Sequence, residues 1–427
     1  MKKTVENIIE VVAVVAVVVA LLAVVSNAVQ VEASDEKYND FYQQSEDFDV
    51  LFFGTSRVIN AVMPMELWQD YGIVSYNFGG HNNTIPTSYW SMMNALDYTH
   101  PKLVVIDCML VEDDAKVCDN AEYLHQTFDS VPISRTKIKA LMDLCDDPEL
   151  TDVNEVNYYD TRLEYIWDFP KYHSRWSALE TEDFEPVYSE EKGAEARVQV
   201  ADFSGWQRLP VEAAQIDSTG AKYLRMMIEE CQNRGIDVML MYLPYPAPES
   251  QQMVAAGVAA IAQEYGVDYV NYLDSDVIDY NTDCYDLGGH LNPSGARKVT
   301  TDLGAYIQER YSIPDQRGNE AYGRWNEDDI DYIIYKAKLI DEQEELDNTL
   351  MLLADDDFTT TVTMRPDSQV YTDPKLGCLV SNIADCIMTQ EDIPEEIHIR
   401  VTDNYYNTTV LDSGWVYYKG RFYKNQQ

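Results

Sequence analysis

Basic residues are scarce in this chain of 427 residues: 31 lysines and arginines stand against 74 aspartates and glutamates, a formal net charge of −43. A field of that sign repels phosphate backbones, so nucleic acid is a poor partner, and the acidity reads as a solvated, soluble surface. Cysteine motifs are missing as well. The seven cysteines (Cys108, Cys118, Cys145, Cys231, Cys284, Cys378 and Cys386) are odd in number and contain no Cys-x-x-Cys, so neither a zinc ribbon nor a dithiol redox site is indicated. Cys378 and Cys386 either bridge a hairpin or sit as ordinary small apolar residues. The run Asp355-Asp356-Asp357 lacks the alternating ligand spacing and closing glutamate of a calcium loop and reads as a solvated turn. No metal or cofactor is expected, and no internal repeat is present.

What is abundant points to a globular protein. Apolar residues make up 46% of the chain and tyrosine contributes 31 residues, amphipathic rings suited to partly wet clefts. At roughly 150 residues per domain there is room for two or three domains, each able to bury its own core without disulfides.

Lys2 and Lys3 precede an apolar block from Val11 to Val25 that ends in Ser26-Asn27-Ala28. Such a segment is either an export signal cut after Ala28 or an uncut anchor with its basic end inside, and the anchor is favoured. Either way the remaining chain lies outside the cytoplasm. Behind it comes a strand–helix rhythm. Asp49 to Phe53, Val74 to Phe78, Leu103 to Asp107, Ile236 to Leu243 and Val267 to Tyr272 read as short buried strands. Segments from Met63, Tyr89 to Tyr98, Ala221 to Arg234 and Gln251 to Tyr265 read as helices. This alternation implies a parallel sheet covered on both faces, with functional residues just after the strand ends.

Residues 113–220 break the rhythm with aromatic and polar clusters such as Tyr172-His173-Ser174-Arg175-Trp176, and read as an insertion capping the cleft. A charged helix is expected over Asn326 to Ala354. Strands are expected at Thr359 to Met364, Ile397 to Val401 and Trp415 to Tyr418. The expected organisation is therefore an N-terminal hydrophobic helix over 1–33, an α/β domain over 34–312, a helical linker over 313–354 and a small β-rich domain over 355–427.

Two places carry chemistry. Gly54-Thr55-Ser56 follows the first strand, which puts the Ser56 hydroxyl at the strand's carboxyl end beside a helix N-terminus. Far along the chain, Tyr285-Asp286-Leu287-Gly288-Gly289-His290-Leu291-Asn292-Pro293-Ser294-Gly295-Ala296 is a turn-rich loop that brings a carboxylate and an imidazole together before a helix. A hydroxyl near neutral pH needs a base of matching pKa, and that base needs a partner to fix its tautomer. Ser56, His290 and Asp286 can fill those roles. His81 sits in a polar turn, His100 precedes Pro101 in another, and His125 and His398 have no partner visible in the sequence.

These segments, Phe53-Gly54-Thr55-Ser56 early and Asp286 to His290 with Leu-Asn-Pro-x-Gly-Ala late, resemble the SGNH (GDSL-like) hydrolase superfamily. The likeness is to its membrane-anchored cell-envelope branch, which includes DltD-like and AlgJ/AlgX-like proteins, and it spans roughly residues 48 to 312. The resemblance implies a flavodoxin-like three-layer α/β/α sandwich. It also implies serine esterase or O-acyltransferase chemistry on acylated carbohydrate or cell-wall polymer, with the membrane as a partner through the N-terminal helix. The sequence departs from the family in two respects. Three residues rather than the usual two separate Asp286 from His290, which keeps Asp283 as an alternative carboxylate. The oxyanion donors are only loosely matched: Gly79-Gly80-His81-Asn82-Asn83 points to Gly80 and Asn82, while Asp107 to Asp113 contains no asparagine. A rival expectation is a catalytically inactive envelope or carbohydrate-binding protein on the same fold.

Overall fold

The computed structural model describes residues 2–30, 36–43, 47–118, 121–145, 165, 173–179 and 189–425. The five apolar runs become five parallel strands: β1 (Val50–Gly54), β2 (Ser75–Gly79), β3 (Leu103–Asp107), β4 (Asp237–Tyr242) and β5 (Asp268–Asn271), in the order β2-β1-β3-β4-β5. This is a doubly wound order whose direction reverses at β1 and β3, opening a crevice at their carboxyl ends. The first three strands are buried throughout, because both faces are covered and neither needs a polar row.

In chain order the described helices are α1 (Lys2–Gln30), α2 (Glu36–Gln43), α3 (Ser56–Ala61), α4 (Pro64–Tyr71), α5 (Ile85–Ala95), α6 (Ala121–Phe128), α7 (Arg135–Leu144), α8 (Thr219–Asn233), α9 (Glu249–Tyr265), α10 (Pro293–Arg310), α11 (Gly323–Asp341), α12 (Leu346–Leu352) and α13 (Pro374–Ser381). Successive strand side chains point to opposite faces, which splits the interior in two. Leu51, Phe53, Val104 and Ile106 face Met92 of α5, Leu224 and Met227 of α8 and Val258 of α9. Val50, Phe52, Leu103 and Val105 face Val58 of α3, Leu67 of α4 and Val299 and Leu303 of α10.

The second sheet is mixed. Its strands β6 (Phe358–Met364), β7 (Cys386–Gln390), β8 (Ile397–Asp403), β9 (Thr409–Tyr418) and β10 (Arg421–Lys424) lie in the order β10-β9-β8-β6-β7, with β7 parallel to β6 and the other pairs antiparallel. β6 alternates buried and half-buried residues, as a strand with one covered face does. The helix expected over Asn326 to Ala354 is broken near Gln343 into α11 and α12. It is more than a linker: Trp325 and Tyr332 of α11 belong to the α/β core, whereas Ile340 belongs to the core beneath the second sheet.

Two expectations change here. Asp355-Asp356-Asp357 is not a solvated turn. Asp355 is buried and bonds Lys336 at 2.9 Å and Arg297 at 3.1 Å, while Glu66 bonds the same two cations, so the run locks α4, α10 and α11 to the second domain. The N-terminal segment is helical, but among the described residues no helix is long and apolar enough to cross a membrane. Its unbroken apolar centre, Val11 to Val25, is bounded by Glu10 and Ser26 and is shorter than the roughly 20 residues a span needs.

Much of the expected cap, including Tyr172, falls outside the described residues. The parts described include α6 and α7, which form a small core with Tyr165, and a strap from residue 189 to 218. The strap's Val198 and Val200 touch the second core, and its Ala201 N–H donates to Cys284 O at 2.7 Å.

Candidate active site

β1 ends at Gly54, and Thr55 in extended conformation caps α3 by accepting the Arg57 N–H on its hydroxyl at 3.3 Å, which makes Ser56 the first helical residue. A side chain at Gly79 would press within 2.9 Å of Thr55 O and 2.7 Å of Ile59 N, so only glycine lets the end of β2 pass this close to the Thr55-Ser56 turn.

The second half of the site is a closed loop. Cys284 and Leu291 bridge as antiparallel neighbours, Tyr285 N–H donates to His290 O at 2.8 Å, and Gly289, at φ 73°, donates to Asp286 O at 3.0 Å. The Leu-Asn-Pro-x-Gly motif anchors that loop. Asn292 caps α10 by accepting the Gly295 N–H at 3.1 Å, and its amide donates to Thr282 O at 2.7 Å and Gln199 O at 3.1 Å. Pro293 starts the helix, and a Cβ at Gly295 would collide with Asp283 O at 2.4 Å.

These two segments meet. Ser56 Oγ lies 2.8 Å from His290 Nε2, and His290 Nδ1 lies 2.8 Å from Asp286 Oδ2. The other Asp286 oxygen accepts the His290 backbone N–H at 3.0 Å, so both oxygens tie the loop to its own histidine. Asp283, the alternative carboxylate, is turned away: it is buried and accepts from Lys298 Nζ and from Asp279 N–H, each at 2.7 Å.

Burial lowers the proton affinity of His290 and the nearby Arg57 cation lowers it further, against the opposing pull of Asp286. Burial works against the Asp286 charge, but the His290 backbone N–H and the His290 ring, helped by Arg57, outweigh it and hold the carboxyl below its ordinary range. At neutral pH the imidazole is therefore uncharged. With Nδ1–H donating to the ionised Asp286, Nε2 is left to accept the Ser56 hydroxyl proton.

The expected oxyanion donors are not arranged for that task. The Gly80 N–H donates to Gly54 O at 3.0 Å, extending the β1–β2 ladder, and Asn82 is exposed at φ 48°. The buried amide of this loop belongs to the next residue. Asn83 accepts the Thr127 hydroxyl at 3.0 Å on Oδ1, and its buried Nδ2 has no partner among the described residues. α6 thus grips the loop, with Tyr123 against His81 at 5.6 Å beside Thr127 on Asn83.

Two groups beside Ser56, His290 and Asp286 escaped the sequence reading. Arg57 is buried and reaches the His290 loop, and Asp107, fully buried at the end of β3, is pushed up to about 7 by burial, against the Leu243 N–H and Arg57. Adjacency to Ser56 was the signal for Arg57. His125 and His398, which looked unpartnered, bond Asp129 at 2.9 Å and Asp412 at 2.8 Å. Cys378 and Cys386 form no bridge with each other. Among the described residues no group of acids, histidines and cysteines is placed to hold a metal ion.

No family model and no curated protein matches the chain. Among solved structures, a Bacteroides fragilis protein provisionally named an acylhydrolase matches 65% of this chain and 97% of its own, at 14% identity and a TM-score of 0.31. A likeness that loose bears on neither fold nor activity.

Proposed function

We propose that this protein is an SGNH-type serine esterase or O-acyltransferase that works outside the cytoplasm on acyl esters of carbohydrate or cell-envelope polymers. The observation that supports it most is the unbroken hydrogen-bonded line from Ser56 through His290 to Asp286, at 2.8 Å for each link. In the first step Ser56 Oγ bonds to the acyl carbon while His290 Nε2 takes the hydroxyl proton. The tetrahedral intermediate collapses, the C–O bond to the alcohol breaks, and His290 returns the proton to the departing oxygen. Water or a sugar hydroxyl then attacks the acyl-serine, giving its proton to His290, which passes it back to Ser56 as the ester breaks. Which acceptor enters decides between hydrolysis and transfer. With the Gly80 amide engaged, the Ser56 N–H at the start of α3 is the donor this geometry leaves to the oxyanion.

Export is supported by Lys2 and Lys3 ahead of the apolar Val11 to Val25 and by the exposure of that surface, with Val11 63% and Leu21 61% exposed, which water disfavours. The engaged Gly80 amide favours a second reading, a catalytically silent carbohydrate-binding protein. Aryl acetate turnover separates the two. The esterase reading expects hydrolysis that Ser56→Ala removes, in a variant that keeps its fold. Equal background rates for wild type and Ser56→Ala, on aryl acetate and on acetylated polysaccharide alike, would support the binder.

A further inference from the structure

Arg57 makes an unusual set of contacts for a buried cation. It is 8% exposed, yet among the described residues no carboxylate forms a salt bridge with it. Its guanidinium donates to Gly288 O at 2.9 Å from Nη2 and to Gly289 O at 3.2 Å from Nη1. Nε points at Met109 Sδ at 2.9 Å, and the plane lies over the Tyr245 ring at 3.7 Å from its centre. A buried charge is costly to desolvate, and two neutral carbonyls, a thioether and a ring are modest return for stability alone.

The location of the contacts gives the reason. Gly288 and Gly289 are the two residues just before His290, they carry no side chains to pack, and they lengthen the Asp286–His290 turn. Arg57 follows the nucleophile directly and grips both carbonyls with one planar fork. Met109 after β3 and Tyr245 after β4 fix the fork itself, so three strand ends and the histidine loop converge on one group.

We propose that Arg57 is a positioning residue: it braces the Gly288–Gly289 turn so that His290 Nε2 faces Ser56 Oγ. Its positive charge also has an effect on the ring, lowering the proton affinity of His290. The catalytic part of this inference rests on the esterase reading, while the brace and the charge effect do not. The charged and titratable groups around the pair are Asp286 and Tyr285 on the loop, His81 after β2, Asp107 after β3, and Tyr242 and Tyr245 at β4. Of these, Asp286 raises the proton affinity of His290, whereas Arg57 and, more weakly, His81 lower it.

The test compares Arg57→Gln, Arg57→Lys and Tyr245→Leu in the full chain, by NMR titration of the His290 ring and by aryl acetate kinetics. In Arg57→Gln the cation is gone, so the His290 titration and the acid limb of kcat/KM move to higher pH. Misplacement of the ring lowers kcat by about 100-fold with KM little changed. Arg57→Lys keeps the charge but not the fork, so the titration stays near wild type while kcat still falls. An unmoved His290 titration together with wild-type kcat in folded Arg57→Gln overturns the proposal. Should Arg57→Gln fail to fold, Tyr245→Leu decides, since it removes the support beneath the fork: kcat falls if the brace matters, and wild-type kcat overturns it. Because the ring titrates whether or not an ester is turned over, an inactive wild type defeats the esterase reading and leaves the charge effect measurable.

Discussion

At the scale of single residues the two aspartates near His290 separate orientation from support. Asp286 holds the ring nitrogen and the backbone of His290 at once, whereas Asp283 is spent on Lys298 and the Asp279 N–H. Asp286→Asn would present an amide whose donor competes with Nδ1–H, and in serine triads that exchange costs about 10⁴-fold in turnover. Asp283→Asn should leave kcat within a few fold and lower the melting temperature by unpairing Lys298. Steady-state kinetics beside thermal unfolding checks both, and a larger kinetic loss from Asp283→Asn would reverse the assignment. Spacing alone could not choose between these carboxylates, because both lie within one loop's reach of His290; the decision comes from Lys298 on α10, a partner that sequence distance hides. Gly80 fails as a donor for a similar reason. Its amide extends a strand pairing to Gly54, and a backbone bond between strands leaves no mark on residue type.

At the scale of elements, the strap over residues 189–218 is where chain connectivity and electrostatics meet. Glu191 accepts the Ala196 N–H at 2.7 Å and the Tyr335 hydroxyl of α11 at 3.0 Å, and burial pushes its carboxyl up to about 7. The folded protein then keeps a proton on Glu191 over a range where the unfolded chain, with an ordinary carboxyl near 4.5, has lost it. The folded state binds more protons there, so this group's contribution is full below about pH 4.5 and is lost as pH rises through about 7. Glu191→Gln removes that contribution. The fall in melting temperature between about pH 5 and pH 7.5 should be smaller in the variant, with a remainder from Asp107, which shifts the same way. Identical slopes would show that Glu191 ionises normally in the folded protein. The strands of the α/β sheet were legible because each is a short apolar run closed by glycine, asparagine, a carboxylate or, after β4, by Pro244. β7 and β10 were not: Ile387 and Met388 are adjacent and both exposed, so no alternation marks β7. α13 was hidden because it is only eight residues long and holds Gly377 and Val380, poor helix formers, behind its Asp373 cap.

Across the whole molecule, the two sheets are joined by a charge cluster in which Lys336 meets Glu66 at 3.1 Å, Asp355 at 2.9 Å and also Asp357, while Arg297 meets Glu66, Asp355 and Asp356. Lys336→Met leaves buried carboxylates short of a cation, and breaking a buried pair from one side costs about 3–5 kcal/mol. The expected outcome is a lower denaturation midpoint and faster protease cleavage near α12, with His290 still aligned because its loop is held from the other side. Unchanged stability would mean that Arg297 alone suffices. Since Arg297 lies one turn beyond the Asn292 cap, the cluster also fixes the helix from which the histidine loop springs. The parallel α/β sheet and the strand-rich tail after it could be read along the chain, whereas this long-range lock could not, since Glu66, Arg297, Lys336 and Asp355 are scattered over almost three hundred residues.

The central claim is that Ser56 is an activated nucleophile. Intact-protein and peptide mass spectrometry after treatment with a fluorophosphonate measures this directly. The account predicts one adduct, on the peptide carrying Ser56, that disappears in Ser56→Ala and forms more slowly as pH drops below the His290 titration. A protein that stays unlabelled at every pH, or carries its adduct on another residue, would contradict it.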